Sequence, residues 1–194
     1  LSLRKISLNP FIRKSFLYKD KKEIKFINHS TKPDIVILTK VFPDEQFDVD
    51  KFRELMSKTI INLKDENVSF MQIELPSYNI FKEYFSSSEY FYQTFVEGIR
   101  LGNYSFDKYK SEKKVAKKLK INFGPSSKEI KSGVIQGEKI INAVDFAKEL
   151  SNEPAITLTP AELVKRTKKE LSKLGVQVTA FNKVELKKRK MNSL

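Results

Sequence analysis

The sequence predicts an α/β protein with a mostly parallel sheet flanked by helices. Three observations support this fold class. Short β-branched or alternating apolar runs recur along the chain, segments with helical apolar spacing lie between them, and Pro, Gly and Ser separate the two kinds of segment. Strands that alternate with helices favour a layered architecture, because each helix can return the chain to the start of the next parallel strand.

Strands are predicted at three places in the first 125 residues. The β-branched run Ile35-Val36-Ile37 predicts a buried strand. A second strand is predicted over 68–75, and a third over 119–123, where alternating apolar residues stop at Gly124-Pro125. We expect these strands to form the sheet.

Two helices are predicted among these strands. Asp48 or Asp50 can cap the first, since a carboxylate accepts the free amides of a first turn. The second helix occupies much of 80–103 and is interrupted near its start by Ser86-Ser87-Ser88. The apolar face of the first helix is expected to consist of Phe52, Leu55, Met56, Thr59 and Leu63.

A longer helix is predicted after the third strand. Ser126 and Glu129 form a capping box at its start, and the helix runs to about Leu150. Pro154 has no amide hydrogen and disfavours a helical residue before it, so the helix ends there. Its apolar face near the end is expected to consist of Ile140, Ala143, Val144, Ala147 and Leu150.

Thr159, Pro160 and Glu162 predict the start of another helix. The Thr159 hydroxyl can accept a free amide, Pro160 stands where a missing amide costs nothing, and Glu162 can return a bond to Thr159. Gly175 ends this helix, and alternating apolar residues predict a strand over 176–180. The buried stripe of the helix is expected to be Leu163, Val164, Thr167, Leu171 and Leu174.

The composition indicates a soluble, cytoplasmic protein. The chain has 194 residues, of which 40% are hydrophobic, and it contains no Cys. No apolar run reaches the roughly 18 residues that a membrane span needs. The N-terminal apolar stretch is also too short and too polar to be a secretion signal.

The formal net charge of +13 makes nucleic-acid binding a possible function. Of the 37 basic residues only six are Arg, and the densest Lys clusters lie at 108–120 and 183–190. Phosphate and base recognition favours the forked Arg side chain, whereas Lys mixed with acids is typical of a solvated surface. Nucleic-acid binding is therefore the less favoured interpretation.

Few residues offer catalytic or metal-binding chemistry. His29 is the only histidine and stands alone, and the acidic residues Asp44, Glu45, Asp48 and Asp50 are better explained by helix capping than by a bound cation. The glycines match no nucleotide-binding fingerprint. We therefore predict no catalytic, cofactor-binding or metal-binding residue in this chain. The glycines expected to allow close helix packing are Gly98 with Gly102 and Gly133 with Gly137.

Two stretches of the second half carry motif-like patterns. The first is Glu97, Gly98, Gly102, Tyr104, Phe106, Asp107, Tyr109 and Lys110, and the second is Asn152, Glu153, Pro154, Ala155, Leu158, Thr159 and Pro160. In this order they resemble the leucyl (cytosol) aminopeptidase family at the junction of its two domains. The sequence departs from that family at Ile156, where Asn is usual, and at Lys190, where Gly is usual.

The resemblance implies that the parent protein is a two-metal aminopeptidase. Such an enzyme removes N-terminal residues from peptides with two divalent manganese or zinc ions and assembles as a homohexamer. Residues 1–150 would form a macro-domain-like N-terminal domain that ends in a long linker helix and serves assembly. Residues 151–194 would be the incomplete, helix-and-strand opening of the catalytic domain.

The family's metal ligands and catalytic residues lie downstream of the part that resembles this chain. None is carried over, so the 194-residue chain itself is expected to be inactive. Peptide substrates and a homo-oligomer are the expected partners of the parent, and no membrane partner is expected. The alternative interpretation is a free-standing basic α/β module that binds nucleic acid or a nucleotide.

Overall fold

The structure is a computed structural model that describes residues 23–28, 34–39, 47–65, 70–73, 75–111, 120–123 and 127–191. The strands are β1 (Glu23–Asn28), β2 (Asp34–Thr39), β3 (Phe70–Ile73) and β4 (Lys120–Phe123). The helices are α1 (Val49–Asp65), α2 (Ser88–Asn103), α3 (Lys128–Ser151), α4 (Pro160–Ser172) and α5 (Lys183–Lys188), with a 3₁₀ turn at Tyr78–Ile80. The described residues therefore combine helices and strands, as predicted, and most of them are helical.

The strands form two separate pairs. β1 and β2 are antiparallel, with Glu23 opposite Thr39, because the five-residue connection between them is too short for the crossover that parallel strands need. β3 and β4 are parallel, with Phe70 opposite Lys120, and α2 lies in their connection. The continuous, mostly parallel, macro-domain-like sheet is not seen in the described residues, whose strands are only paired.

The described residues group into two compact units. The first contains the described residues up to Tyr104 and those from 120 to Ile140, and the second contains Ser105–Ser111 and the residues from Ile141 onward. The division therefore falls within α3. The domain boundary near residue 150 that the sequence suggests remains a prediction.

An aromatic core joins α1 to α2 in the first unit. The Phe91 ring of α2 stacks on Phe52 of α1 at a centroid distance of 5.3 Å and on Phe81 at 5.1 Å. Burying one such ring contributes about 1.5–3 kcal/mol to folding. On α1, Phe52 and Met56 are buried as predicted, and the third buried position is Ile60, whereas the predicted Thr59 is half-buried. The side chain of Leu63 lies outside the described part of the chain.

Glycines allow the helices of the first unit to approach closely, as predicted. A Cβ atom at Gly98 of α2 would lie 2.7 Å from the carbonyl oxygen of Arg53 in α1. A Cβ atom at Gly133 of α3 would lie 2.5 Å from the carbonyl oxygen of Glu89 in α2. Both distances are shorter than real Cβ contacts, so α1, α2 and α3 pack backbone to backbone at these points.

Side-chain caps begin the helices of the first unit. Asp48 accepts a first-turn amide of α1 at 2.7 Å, which selects it over Asp50 as the cap. Ser87, in the predicted break, caps α2 at 3.1 Å. α3 is capped at 3.4 Å by Ser127, one residue after the predicted Ser126, which lies outside the described residues.

The start and the end of α4 agree with the prediction. The Thr159 hydroxyl accepts the amide of Glu162 at 3.3 Å, and Pro160 is the first helical residue. The Glu162 carboxylate, expected to bond back to Thr159, accepts instead from Arg166 at 2.9 Å. After the helix, Gly175 has a φ of 73°, a left-handed conformation that glycine adopts without steric cost.

Three expectations for residues 140–182 are wrong. Residues 176–182 form no strand, because a strand needs a neighbouring strand and no described strand pairs with this segment. α4 has no buried residue, and Leu174 beyond it is 75% exposed. In α3 the buried apolar side chain is Ile141, 1% exposed, rather than Ile140, which is 39% exposed. Within the described residues, no helix has the length and apolar character needed to cross a bilayer.

Candidate functional site around Glu153

Glu153 lies in the turn between α3 and α4, where Pro154 prevents α3 from continuing. The Glu153 amide still donates to the Leu150 carbonyl at 3.3 Å, which makes it the last hydrogen-bonded residue of this helix end. The Pro154 carbonyl then accepts the amides of Thr157 at 2.8 Å and Leu158 at 2.9 Å, and these bonds close the turn. The Glu153 side chain within it is only 2% exposed.

The Glu153 carboxylate accepts hydrogen bonds from two distant segments. Lys108 Nζ lies 2.5 Å from Oε1, and Arg166 Nη1 of α4 lies 2.9 Å from the same oxygen. The hydroxyl of Tyr109 donates to Oε2. Each carboxylate oxygen therefore has a donor, and the donors come from the 105–111 loop and from α4.

Arg166 also binds a second carboxylate. Its Nε lies 2.9 Å from Oε1 of Glu162, one helical turn earlier in α4. Hydrogen bonds to Glu153 and then Glu162 raise the pKa of Arg166, so its guanidinium stays charged. We call Lys108, Tyr109, Glu153, Glu162 and Arg166 the Glu153 cluster.

The cluster fixes the charge of Glu153. Hydrogen bonds from Lys108, Tyr109 and Arg166, in that order of importance, lower the pKa of Glu153 from 4.5 to about 2. General acid–base catalysis needs a pKa near the working pH and an accessible oxygen. Glu153 has neither, so its geometry fits a structural role.

The 105–111 loop that supplies two of these donors is a compact turn. The Lys110 amide donates to the Asp107 carbonyl at 3.3 Å, and the side chains of the same two residues pair at 2.5 Å. The rings of Phe106 and Tyr109 lie 5.9 Å apart, and the Tyr109 hydroxyl is also 3.4 Å from Thr157 Oγ1. The turn thus presents Lys108 and Tyr109 side by side.

Glu97, the acidic residue of the first motif-like stretch, is buried in the first unit. Its Oε2 accepts from Arg53 Nε at 2.7 Å, and its Oε1 accepts from Gln93 Nε2 at 2.8 Å. Arg53 also reaches Asp50 at 2.7 Å. Burial lowers the pKa of Arg53, but its bonds to Glu97 and other partners outweigh that effect and raise it overall. Glu97 is therefore an ion-pair partner of α1.

The other sequence candidates do not form a site. His29, Asp44 and Glu45 lie outside the described residues, Asp48 caps α1 and Asp50 pairs with Arg53. Within the ranges that the structure describes, no group of three or more His, Cys, Asp or Glu side chains could hold a metal ion. The acids present there do not fit a two-metal centre.

An open cleft of about 360 Å³ lies beside the cluster, between Phe146 of α3 and one face of α4. Its acids and bases largely pair with one another or with neighbours, as Lys165 does with Glu162 at 3.7 Å and Glu170 with Lys173 at 2.8 Å. A wall of mixed, mutually paired charges complements no single class of ligand. The α4 residues that line the cleft are Glu162, Lys165, Arg166, Lys169 and Glu170.

The structure brings together parts of both motif-like stretches. Tyr109 belongs to the first stretch and Glu153 to the second, and they are in direct contact. Lys108 and Arg166 were not singled out from the sequence. For Arg166 a signal was present, since an arginine in a lysine-rich chain indicates a need for the forked guanidinium.

Comparisons with known proteins find similarity to cytosol aminopeptidases. Residues 43–113 match the model of the cytosol aminopeptidase family, N-terminal domain. A probable cytosol aminopeptidase of Treponema denticola is 28% identical over 77% of this chain and 31% of its own length. One from Clostridium tetani is 28% identical over 83% and 33%, and one from Phytoplasma australiense is 40% identical over 52% and 20%.

A solved structure shows the same fold. The bottromycin maturation enzyme BotP, in complex with Mn, superposes with a TM-score of 0.65 at 18% identity and covers 95% of this chain and 38% of its own. The fold is similar to part of that enzyme, and the sequence is similar to part of proteins named probable cytosol aminopeptidases. The chain is similar to the cytosol aminopeptidase family, and residues 43–113 match the N-terminal domain of that family. It spans about a third of the length of the first curated relatives that it matches.

Proposed function

We propose that this chain is the N-terminal part of a metal-dependent cytosol aminopeptidase and that it serves assembly, not catalysis. The observation that carries the proposal is the contact of Tyr109 with Glu153. This contact joins the two stretches that resemble the family, and in it the Glu153 carboxylate has a structural role.

The acids of the described residues support the absence of catalysis. Glu97, Glu153 and Glu162 are each engaged by an arginine, so they are not available as a set of metal ligands. In the whole protein, paired manganese or zinc ions would polarise the scissile carbonyl and activate water. Residues outside this chain would hold them, because the relatives are about three times longer than the matched part.

The whole protein would act on peptides with a free N-terminus in the cytoplasm and would assemble as a homo-oligomer, a hexamer by family resemblance. The assembly role can be tested by sedimentation velocity over a concentration series. We expect association that increases with concentration. A second series at rising ionic strength separates self-association from charge repulsion between chains, because the net charge of +13 opposes association at low salt. A strictly monomeric chain at every concentration and salt would contradict the assembly role.

The described arginines argue against the nucleic-acid alternative. Arg53 and Arg166 bind carboxylates, Arg100 lies 3.5 Å from Glu138, and Arg189 lies 4.0 Å from the centre of the Phe181 ring. These guanidinium groups already have partners within the protein, so mainly Lys side chains remain for phosphate contacts.

Fluorescence anisotropy with labelled DNA and RNA tests the alternative. We expect weak binding that shows no sequence preference and is lost as salt increases. Submicromolar, sequence-selective binding at physiological salt would favour the nucleic-acid module instead.

A further inference from the structure

The 105–111 loop is held in the second unit by the Glu153 cluster. Tyr104 belongs to the first unit, the loop that follows it belongs to the second unit, and the next described residues, from 120, belong to the first unit again. Within the loop, Lys108 and Tyr109 contact Glu153. The loop and the α3–α4 turn are therefore joined through one carboxylate.

The two sides of this contact differ in exposure. Glu153 is 2% exposed, whereas the Lys108 side chain is 47% exposed and Tyr109 is 50% exposed. No residue of the 105–111 loop is buried, so apolar packing adds little to hold the loop in place. Lys108 and Tyr109 can return to water at low cost, but a buried carboxylate without its partners is unfavourable.

We propose that Glu153 is a conformational latch: its charge holds the 105–111 loop in the second unit, and loss of that charge releases the loop as one piece. The local pair of Lys110 with Asp107 keeps the turn intact when it detaches. Arg166 keeps its bond to Glu162 within α4, because that bond does not involve the loop. Release then affects the loop and leaves the helices unchanged.

Native-state trypsin digestion tests the latch. Trypsin cleaves after a lysine when the backbone around it can open into the protease active site, and the pairing of Lys108 with Glu153 opposes this opening in the loop. In Glu153→Gln we expect cleavage after Lys108 to accelerate on the order of tenfold, since the loop opens more often. Cleavage after Lys173, at the end of α4, serves as the internal reference and should keep its rate.

The matched control is Glu162→Gln, which loses a bond to Arg166 but touches no loop residue. It should leave cleavage after Lys108 unchanged.

Tyr109→Phe removes one hydrogen bond to Glu153 and leaves the charge of Glu153 in place, so it should accelerate cleavage less. This variant also provides a test if Glu153→Gln does not fold.

Two results would overturn the proposal. An unchanged rate at Lys108 in both Glu153→Gln and Tyr109→Phe would show that the cluster does not hold the loop. Equal acceleration at Lys108 and Lys173 would show that Glu153 supports the whole second unit and is not a latch for the loop.

Discussion

Arginine and lysine have different roles in this chain. Arg53 and Arg166 each bind two carboxylates, which a planar guanidinium can do and a single ammonium group cannot do in the same geometry. Lysines contribute mostly exposed pairs such as Lys58 with Glu54, which add little to stability. Arg53 and Arg166 therefore have structural roles, and the rarity of Arg in this lysine-rich sequence is a signal of such positions.

The lowered pKa of Glu153 predicts a specific pH dependence of stability. A carboxylate whose pKa falls from 4.5 to about 2 on folding stabilises the protein fully above pH 4.5, and this contribution is lost as the pH falls towards 2. We expect Glu153→Gln to be less stable than the parent chain near neutral pH. The difference should shrink as the pH falls below 4.5, measured by urea unfolding in a pH series.

Glu149→Gln is the control for this measurement. Glu149 is an exposed residue of α3, one helical turn before Glu153. It should leave the stability of the chain nearly unchanged across the series. A constant difference between Glu153→Gln and the parent chain at all pH values would show that the Glu153 charge contributes nothing.

At the scale of single elements, local signals predicted helix starts well and buried faces less well. Asp48 and Thr159 act as the caps that their positions indicate, because a cap depends only on the adjacent turn. Whether Ile140 or Ile141 is buried depends on what α3 packs against, and helical periodicity alone does not identify that neighbour. The predicted strand over 176–180 is absent for a related reason, since a strand depends on a partner elsewhere in the chain.

Close packing of α3 on α2 predicts that Gly133→Ala is destabilising. The added Cβ would lie 2.5 Å from the Glu89 carbonyl oxygen and 2.8 Å from Tyr92 Cβ. The resulting strain, about 1–3 kcal/mol, exceeds the gain in helix propensity of up to about 1 kcal/mol. We expect a net loss of about 1–2 kcal/mol in chemical unfolding. Gln136→Ala, at an exposed position of α3, should be neutral or stabilising, and equal behaviour of the two variants would contradict close packing.

The cap of α4 predicts the effect of Thr159→Ala. Loss of the hydroxyl that accepts the Glu162 amide should lower the free energy of unfolding by about 1 kcal/mol. Thr159→Ser keeps a hydroxyl and should restore most of the loss. An unchanged denaturation midpoint in Thr159→Ala would mean that this cap does not stabilise the protein.

At the scale of the whole molecule, the sequence predicted the mixed α/β class and the family but not the Glu153 cluster. Lys108 lies 45 residues from Glu153 and Arg166 lies 13 residues from it, so no local spacing rule connects them. β1 was also missed, although Ile24 and Phe26 alternate with polar neighbours, because a short run of this kind is a weak signal without a known partner strand. Long-range contacts of these kinds require the fold.

We propose a division of labour in which this chain serves assembly and other residues of a longer aminopeptidase carry out catalysis. Its most direct test is an assay of the purified chain on a chromogenic leucine amide with manganese or zinc added, beside a mock purification. The account predicts no release above the mock sample, because the acids of the described residues do not form a two-metal centre. Metal-dependent release that co-elutes with the chain would contradict it.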